Sequence, residues 1–266
     1  MNDTNDIFPA PDSPQSTPPP QAVRVSFPQS APYVTYAIIG VTAVVFLLQV
    51  ISIVIFGRSS GGMDLVEAYG ALIGSAIRSG QVWRLITPML LHDNMFFLHI
   101  VFNMYALYSL GVGLERQFGH RRFLVLYLLG GFSGNVLSFL ISSRYYSYSI
   151  GASTAIFGLI GAEGVFLFQN RKLFGQNANR AIGNVIFIAA INLFIIGSLP
   201  GIDNWGHVGG LLGGLMFTSL AGPLWSVEST FTGYSLVDRR SAGDVINGAA
   251  AVLIIFGALA ILGMVR

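Results

Sequence analysis

Long apolar runs alternate with short polar segments along most of the chain. A helix needs about 20 residues to cross roughly 30 Å of hydrocarbon, and seven runs approach or exceed that length. They cover residues 34–56, 94–115, 122–142, 152–169, 181–199, 206–221 and 245–265. The fourth and sixth are short and rich in glycine, and at 1.5 Å per residue the sixth reaches only about 24 Å. The pattern predicts an all-α membrane protein in which one end of the sixth span is recessed or the bilayer is thinned around it.

The composition agrees with this interpretation. Of the 266 residues, 53% are hydrophobic and 10% are charged, with a mean hydropathy of +0.66, whereas soluble domains carry about 25% charged residues. The net charge of +2 comes without a run of Lys and Arg, so no nucleic-acid partner is expected. The absence of cysteine excludes disulfides, thiolate metal sites and a cysteine nucleophile. No cofactor and no metal are predicted.

The distribution of positive charge predicts which side of the membrane each loop faces. With the N-terminus in the cytoplasm, nine Lys and Arg residues fall on the inner side and five on the outer side, and cytoplasmic loops carry the excess of such residues. We therefore expect an N-terminus-inside protein of the cell membrane. The segment 57–93 then lies outside and is too long for a tight turn, so short amphipathic helices in the interface are expected there.

The two ends of the chain differ from its middle. Residues 1–32 hold eight of the eleven prolines, as in PAPDSPQSTPPPQ, and such a segment buries too little apolar surface to order, so a disordered cytoplasmic tail is predicted. This tail lacks the basic start and early apolar core of a signal peptide, and a docking role is the alternative. Residues 33–222 form the predicted membrane domain, 223–244 a cytoplasmic linker, and 245–266 an additional C-terminal transmembrane helix.

Under this topology, three spans carry polar groups near their outer ends. They are the second, with His99 and Asn103 in HIVFN, the fourth, with Ser153 in GASTAIF, and the sixth, with His207 in WGHVGGLLGGL. Polar groups inside a membrane are costly and usually face protein or a water-filled cavity. Their similar depth in three spans that are distant in sequence predicts one site.

These residue types suit hydrolysis. Serine becomes a nucleophile when a base removes its proton, and histidine fits that task because its unperturbed pKa lies at about 6.5. His99 and Asn103 lie four residues apart on one helix face, and both can donate to an oxyanion. The N–H of Ser153 is a third donor, because amides in the first turn of a helix lack intrahelical partners.

At these residues the sequence resembles the rhomboid family of intramembrane serine proteases. The matching pieces are WR at 83–84, HIVFNMYAL, LERQFG, GASTAIFGL and GHVGGLLGGL, in family order and spacing over roughly residues 80–222. The resemblance implies a six-helix rhomboid-like bundle with one additional C-terminal transmembrane helix, the 6+1 arrangement of the family.

The resemblance also implies roles for the site residues. Ser153 and His207 would form a catalytic dyad without an acid. His99, Asn103 and the Ser153 amide would form the oxyanion hole. Phe157 matches a family aromatic residue that stacks on the catalytic histidine.

Three positions depart from the family pattern. Thr154 replaces the glycine that commonly follows the nucleophile, and its branched side chain is expected to alter substrate fit. Gln117 replaces arginine in the ExRxG motif, which puts the hydrogen bonding of the inner loop in question. His92 precedes His99 by seven residues, at a place where the family often has an extra histidine nearer to the motif.

Other interpretations of single residues stay open at this point. Ser153 and His207, each taken alone, are also typical of residues that pack between membrane helices. Asp203 lies four residues before His207 and is a candidate third member of a triad, although the turn at 200–201 sets it in the outer loop. A soluble-hydrolase nucleophile elbow lacks its second glycine here, and a metalloprotease lacks HExxH.

Two further motifs are given structural roles. Gly206, Gly210 and Gly214 form a GxxxGxxxG face, which predicts close packing of the sixth span against the fourth. Trp83 and Arg84 are expected to anchor the outer loop at the headgroup boundary as supporting residues.

The sequence thus predicts an intramembrane serine endopeptidase that cleaves single-span membrane proteins near the outer face of the bilayer. One alternative is a non-proteolytic rhomboid-like protein that binds transmembrane clients. Loss of Ser153 or His207 would have marked it, and both are present. The other alternative is a small transporter, for which an inverted repeat would be expected, and the spans show none.

Overall fold

The computed structural model describes residues 30–59, 61–141, 148–231 and 233–266. In these ranges the chain forms ten helices, which are α1 (Tyr33–Phe56), α2 (Leu65–Gly70), α3 (Gly74–Arg78), α4 (Leu98–Phe118), α5 (His120–Ile141), α6 (Ser153–Gln169), α7 (Arg171–Phe174), α8 (Gln176–Phe194), α9 (Asn204–Ala221) and α10 (Ala242–Val265). The long helices α1, α4, α5, α6, α8, α9 and α10 occupy the seven apolar runs. Four of them, α1, α5, α8 and α10, are long and apolar enough to cross a membrane. The chain is an all-α membrane bundle.

Two helices begin and end away from their predicted positions. α4 begins at Leu98 and not at residue 94, because the Asp93 carboxylate accepts a hydrogen bond from the N–H of Met95 at 2.7 Å and holds that stretch in a turn. α8 begins directly after Gly175, whose φ of 57° turns the chain, so the helix starts and stops about five residues earlier than the apolar run indicated. Most of the predicted tail, residues 1–29, lies outside the described residues.

Glycines allow α5, α6 and α9 to meet at the centre of the bundle. A Cβ added at Gly210 would lie 2.0 Å from the carbonyl oxygen of Thr154, and one at Gly214 would lie 1.9 Å from that of Gly158. Gly158 in turn faces Gly130 of α5, where an added Cβ would come within 3.0 Å of the Gly158 Cα. The predicted close packing of the sixth span against the fourth is confirmed, and it brings the outer ends of α6 and α9 together.

α1 turns polar residues toward the protein and apolar residues outward. Its buried residues include Thr35, Thr42 and Gln49, spaced by seven, together with Ile38 and Ser52. Residues seven apart share a helix face, so this stripe is the reverse of the pattern in a helix of a soluble protein. Polar groups in a membrane helix are stable where they meet polar partners on a neighbouring segment.

Glu115 of α4 supplies hydrogen-bond partners for the N-terminal end of α1. Its carboxylate accepts hydrogen bonds from the Val34 N–H at 2.8 Å, the Thr35 N–H at 2.7 Å and the Thr35 hydroxyl at 2.6 Å. The same carboxylate also lies 2.6 Å from Nδ1 of His120. Gln117, which replaces the arginine of the ExRxG motif, is not among these partners. The Glu115 carboxylate of the motif is therefore fully partnered without it.

The outer segment before α4 is folded, as predicted, into short helices. Asp64 caps α2 through the N–H of Glu67 at 2.9 Å, and two 3₁₀ turns, Val82–Leu85 and Thr87–Leu90, follow α3. Between α2 and α3, β1 (Leu72–Ile73) pairs antiparallel with β2 (Tyr148–Ser149). This pairing ties the outer segment to the chain that leads into α6.

Arg84 holds this outer segment from inside. Its side chain is only 4% exposed and donates to the carbonyl oxygens of Ala71 at 2.7 Å and Ala68 at 2.6 Å. The expectation that Arg84 reaches the headgroup boundary is therefore wrong, because its guanidinium is buried and donates to carbonyl groups of the same segment. Trp83 is 49% exposed and donates to the carbonyl oxygen of Tyr69 at 3.1 Å.

The segment between α9 and α10 forms a hairpin that the sequence did not predict. β3 (Trp225–Thr230) pairs antiparallel with β4 (Gly233–Asp238), and Arg122 at the start of α5 lies 2.7 Å from the Asp238 carboxylate. α10 then packs on α5 and α9. The helix beyond the predicted linker is therefore an integral part of the bundle.

Candidate active site

Ser153 and His207 meet where α6 and α9 begin. Ser153 is the first residue of α6, and His207 lies in the first turn of α9. The Nε2 atom of His207 lies 3.0 Å from the Ser153 hydroxyl oxygen. This is hydrogen-bonding distance for a base that removes a proton from a serine. The predicted pairing of these two residues is observed.

The orientation of the His207 ring is fixed by stacking. Its centroid lies 4.2 Å from that of Phe157, with the two planes 10° apart. Phe157 lies on α6 one turn after Ser153, so one helix carries both the hydroxyl group and the surface on which the imidazole rests. A protonated imidazole over an aromatic face is also favoured electrostatically.

Asp203 does not complete a triad. Its carboxylate caps α9 by accepting a hydrogen bond from the N–H of Gly206 at 2.8 Å. Among the described residues, Nδ1 of His207 has no hydrogen-bond partner. The geometry is that of a pair of residues, Ser153 and His207, without a third acidic member.

His99 lies beside Gly151, two residues before Ser153. A Cβ added at Gly151, whose φ is +127°, would come within 2.9 Å of Nε2 of His99 and within 3.7 Å of the Ser153 hydroxyl oxygen. The N–H of Asp93 lies 3.4 Å from Nδ1 of His99. If Nδ1 is the acceptor, the ring proton is on Nε2 and is available as a donor next to Ser153. Gly151 is required here, because any side chain would collide with the imidazole.

Asn103 lies one turn further along α4. Its side-chain amide donates to the carbonyl oxygen of His99 at 2.9 Å, which occupies one of its two N–H bonds. The second N–H remains available to an acceptor. Asn103 is buried, whereas His99 lines the cavity described below.

Thr154 is turned away from the site. Its side chain is 2% exposed and packs against Gly134 of α5 and Gly206 of α9, where an added Cβ would come within 2.6 Å and 2.9 Å of Thr154 carbons. Thr154 does not line the cavity, and an effect of the threonine on substrate fit stays a prediction. Its branched carbon fills space that two glycines on neighbouring helices leave open.

A cavity of about 720 Å³ leads to the pair. Ser153, His207 and His99 line it, together with residues 58, 61–63 and 67 before α3 and residues 199–203 before α9. Trp83 and Arg84 do not line it, so their role in this structure is to hold the outer segment.

The lining of the cavity carries more acidic than basic side chains. Glu67, Asp93 and Asp203 line it together with Arg58. Glu67 lies in α2, outside the spanning helices, and the Tyr148 hydroxyl donates to its carboxylate. Burial, followed by the charge of Asp64, raises the pKa of Glu67 to about 7.

Glu67→Gln is expected to raise the unfolding temperature at pH 8 and to leave it nearly unchanged at pH 5. Between pH 4.5, the ordinary pKa of a glutamate, and a pH of about 7, the native state keeps a proton on Glu67, while the unfolded chain loses it. The stabilisation is therefore present at low pH and is lost as pH rises through about 7. Glutamine stays neutral and can still accept from Tyr148. Thermal unfolding in detergent at both pH values measures the difference.

The exposed Glu228 on β3 provides the control for that experiment. Glu228→Gln should shift the unfolding temperature at neither pH. A Glu67→Gln shift of the same size at pH 5 and pH 8 would contradict the assignment, because it would show that Glu67 carries the same charge at both.

A buried polar group near the C-terminal end of α1 was not predicted from the sequence. Gln49, Asp64 and His92 are each fully buried, and the Gln49 side chain bonds to both of the others. The spacing of Thr35, Thr42 and Gln49 by seven in an otherwise apolar run would have indicated that this face of α1 meets protein.

Comparison with known proteins agrees with this geometry. The family model for the Rhomboid domain matches residues 79–223, more than half of the chain. Rhomboid protease GluP of Bacillus subtilis is 41% identical over 197 residues, which are 74% of this chain and 36% of that protein. RHOMBOID-like protein 6, mitochondrial, of Arabidopsis thaliana is 38% identical over 72% of this chain and 63% of that protein.

A third relative extends the comparison. Rhomboid-like protease 3 of Toxoplasma gondii is 30% identical over 67% of this chain and 66% of that protein. The chain therefore spans between about a third and two thirds of the length of these relatives. A domain match over more than half of the sequence, with relatives this similar over two thirds of it or more, shows that the chain belongs to the rhomboid family.

Proposed function

We propose that this protein is an intramembrane serine endopeptidase in which Ser153 is the nucleophile and His207 the general base. The observation that carries the proposal is the 3.0 Å contact between His207 Nε2 and the Ser153 hydroxyl oxygen, in the lining of a cavity in a membrane bundle. The relatives from Bacillus subtilis and Toxoplasma gondii, which are named as proteases, add support.

The reaction proceeds in two halves. The Ser153 oxygen attacks the carbonyl carbon of the scissile peptide bond while its proton passes to Nε2 of His207. The tetrahedral intermediate collapses, the C–N bond breaks, and the departing amine takes that proton. A water molecule then attacks the acyl ester and gives a proton to His207. The ester C–O bond breaks, the carboxylic acid product leaves, and the Ser153 oxygen takes the proton back from His207.

The oxyanion of each tetrahedral intermediate requires donors on the side of His99. His99 Nε2 and the Ser153 hydroxyl oxygen both lie near the position that a Cβ at Gly151 would occupy, which supports His99 as one donor. The N–H of Ser153, in the first turn of α6, has no intrahelical acceptor and is a second. The N–H of the Asn103 amide that does not bond to the His99 carbonyl oxygen is a third.

The substrates are single-span membrane proteins, cut near the outer face of the bilayer. A peptide bond in a transmembrane helix is hydrogen-bonded and shielded, so it must be unwound before Ser153 can attack it. Residues that weaken a helix lower the free energy of that unwinding. The excess of Lys and Arg on one side supports a cytoplasmic N-terminus in the cell membrane, and the site then lies toward the outside.

The proposal is tested by incubating the purified protein with a generic single-span substrate and mapping the cut by mass spectrometry. We expect cleavage within about two or three helical turns, roughly 11–16 Å, of the outer boundary of the client's span. Replacing glycine and proline there with leucine should slow it. Binding without any cut would favour a non-proteolytic protein that holds transmembrane clients, and a cut in the cytoplasmic third would contradict the orientation.

Asn103→Ala and His99→Ala should each lower kcat more than they raise KM. An oxyanion donor acts mainly in the transition state, and removing one typically costs about 10²–10³ in rate. A smaller loss is expected here because two donors remain. Steady-state kinetics on the same substrate measure the effect, and full activity in both variants would show that neither side chain contacts the oxyanion.

A further inference from the structure

Gln49 clamps the main chain of His92. Its amide nitrogen donates to the His92 carbonyl oxygen at 3.0 Å, and its amide oxygen accepts from the His92 N–H at 3.0 Å. The remaining N–H of the amide goes to the Asp64 carboxylate, also at 3.0 Å. All three groups of the carboxamide that face protein are used, and all three residues are fully buried.

The ring of His92 continues from this clamp to the chain just before the nucleophile. Its Nε2 lies 3.4 Å from the N–H of Ala152, the residue that precedes Ser153. Its edge meets the ring of His99 with the centroids 5.1 Å apart. His92 therefore contacts both the loop that carries the serine and the imidazole that faces Gly151.

The loop between β2 and α6 is also held at two other places. The N–H of Gly151 donates to the carbonyl oxygen of Pro88 at 2.9 Å, and β2, which leads into the loop, pairs with β1. A loop whose glycine lies at a φ of +127° has few constraints of its own. β1 and Pro88 therefore hold the start of the loop, and His92 holds its end at Ala152.

We propose that Gln49 is a positioning residue of the active site, which acts through His92 to fix Ala152, Ser153 and the ring of His99. The inference rests on the proposed dyad. Only a carboxamide of this length can donate to one carbonyl, donate to a carboxylate and accept from an N–H at the same time. A methionine would match its size but leave those buried groups unpaired.

The effect belongs to the chemical step. A displacement of about 1 Å at reacting groups can cost roughly 10²-fold in rate, whereas neither Gln49 nor His92 lines the cavity that leads to Ser153. Gln49→Met should therefore lower kcat by between about 10- and 100-fold with little change in KM. It should slow the labelling of Ser153 by a fluorophosphonate to a similar extent.

The experiment compares Gln49→Met, His92→Phe, the double variant and Thr42→Val. Rates are expressed per active site, counted by exhaustive fluorophosphonate labelling, so that unfolded protein does not enter the result. The double variant should be no slower than His92→Phe alone, because Gln49 acts through that residue. Thr42 lies on the same face of α1, is buried, and has no hydrogen-bond partner among the described residues, so Thr42→Val should keep the parent's rate.

The outcomes separate the two levels of the argument. If the parent protein neither cleaves nor labels at Ser153, the proposed function fails. If the parent is active and Gln49→Met melts at a lower temperature with an unchanged rate per active site, Gln49 is structural only and the inference is overturned. If Gln49→Met does not fold, His92→Phe alone decides, because an unchanged rate per site in that variant would remove the connection to Ser153.

Discussion

Ser153→Ala and His207→Ala are each expected to abolish cleavage, and the double variant should be no slower than either. The imidazole and the hydroxyl group are 3.0 Å apart and act as one unit, so removing the second member of the pair takes away nothing further. In a serine protease, loss of the catalytic serine or histidine costs about 10⁶-fold in rate. A loss of that size would leave the activity of this protein near background.

Time courses with the same substrate, analysed by mass spectrometry, measure these rates over several orders of magnitude. Asp203→Asn is the matched comparison, because its carboxylate caps α9 through Gly206 and an asparagine oxygen can cap in the same way. We expect that variant to retain nearly full activity. Substantial turnover by Ser153→Ala or His207→Ala would disprove the dyad, and a loss of several orders of magnitude in Asp203→Asn would restore the triad.

Gly210→Ala is expected to have the second-largest effect, on both activity and stability. Its added Cβ would lie 2.0 Å from the carbonyl oxygen of Thr154, which is main chain and cannot move without moving α6. Because Thr154 follows Ser153 and Gly210 lies one turn after His207, the change pushes the two catalytic groups apart. We expect a loss of about 10²-fold in rate.

The same substitution should also lower stability. Overpacking of a close-packed core typically costs about 1–3 kcal/mol, which for a protein of this size corresponds to roughly 2–12 °C in the unfolding temperature. Gly113→Ala is the matched control, since Gly113 also lies inside a helix but has nothing within 4 Å of an added Cβ. It should be neutral or slightly stabilising. Equal behaviour of the two variants would contradict the packing described for α6 and α9.

The parts of the structure that follow from helix periodicity could be predicted from the sequence. Each apolar run became a helix, and the GxxxGxxxG face of α9 predicted its contact with α6 because only glycine permits such close approach. The meeting of Ser153 with His207 followed from their equal depth in two adjacent spans. In these cases the information lies in the spacing of residues along one helix, which a sequence displays directly.

Contacts between irregular segments could not be predicted in the same way. Whether Arg84 faces lipid or the carbonyl groups of its own loop depends on how residues 65–90 fold over one another. The direction of the Thr154 side chain depends on two glycines on other helices. The link from Gln49 to His92 joins residues 43 positions apart, and neither is preceded by a motif that would indicate the other.

The inverted pattern of α1 has a consequence for the order of events during biosynthesis. α1 precedes α4 in the chain, and the carboxylate that Thr35 will meet is 80 residues further along. Until α4 follows, the Thr35 hydroxyl can bond back to its own helix, whereas Gln49 has a longer side chain and must find water or headgroups until Asp64 and His92 reach it. We therefore expect newly inserted α1 to lie displaced toward the membrane surface near Gln49 and to reach its final depth only when the segment with Asp64 and His92 folds against it. The polar face of α1 would then first direct the packing of the segments that follow it, before it supports the position of Ser153.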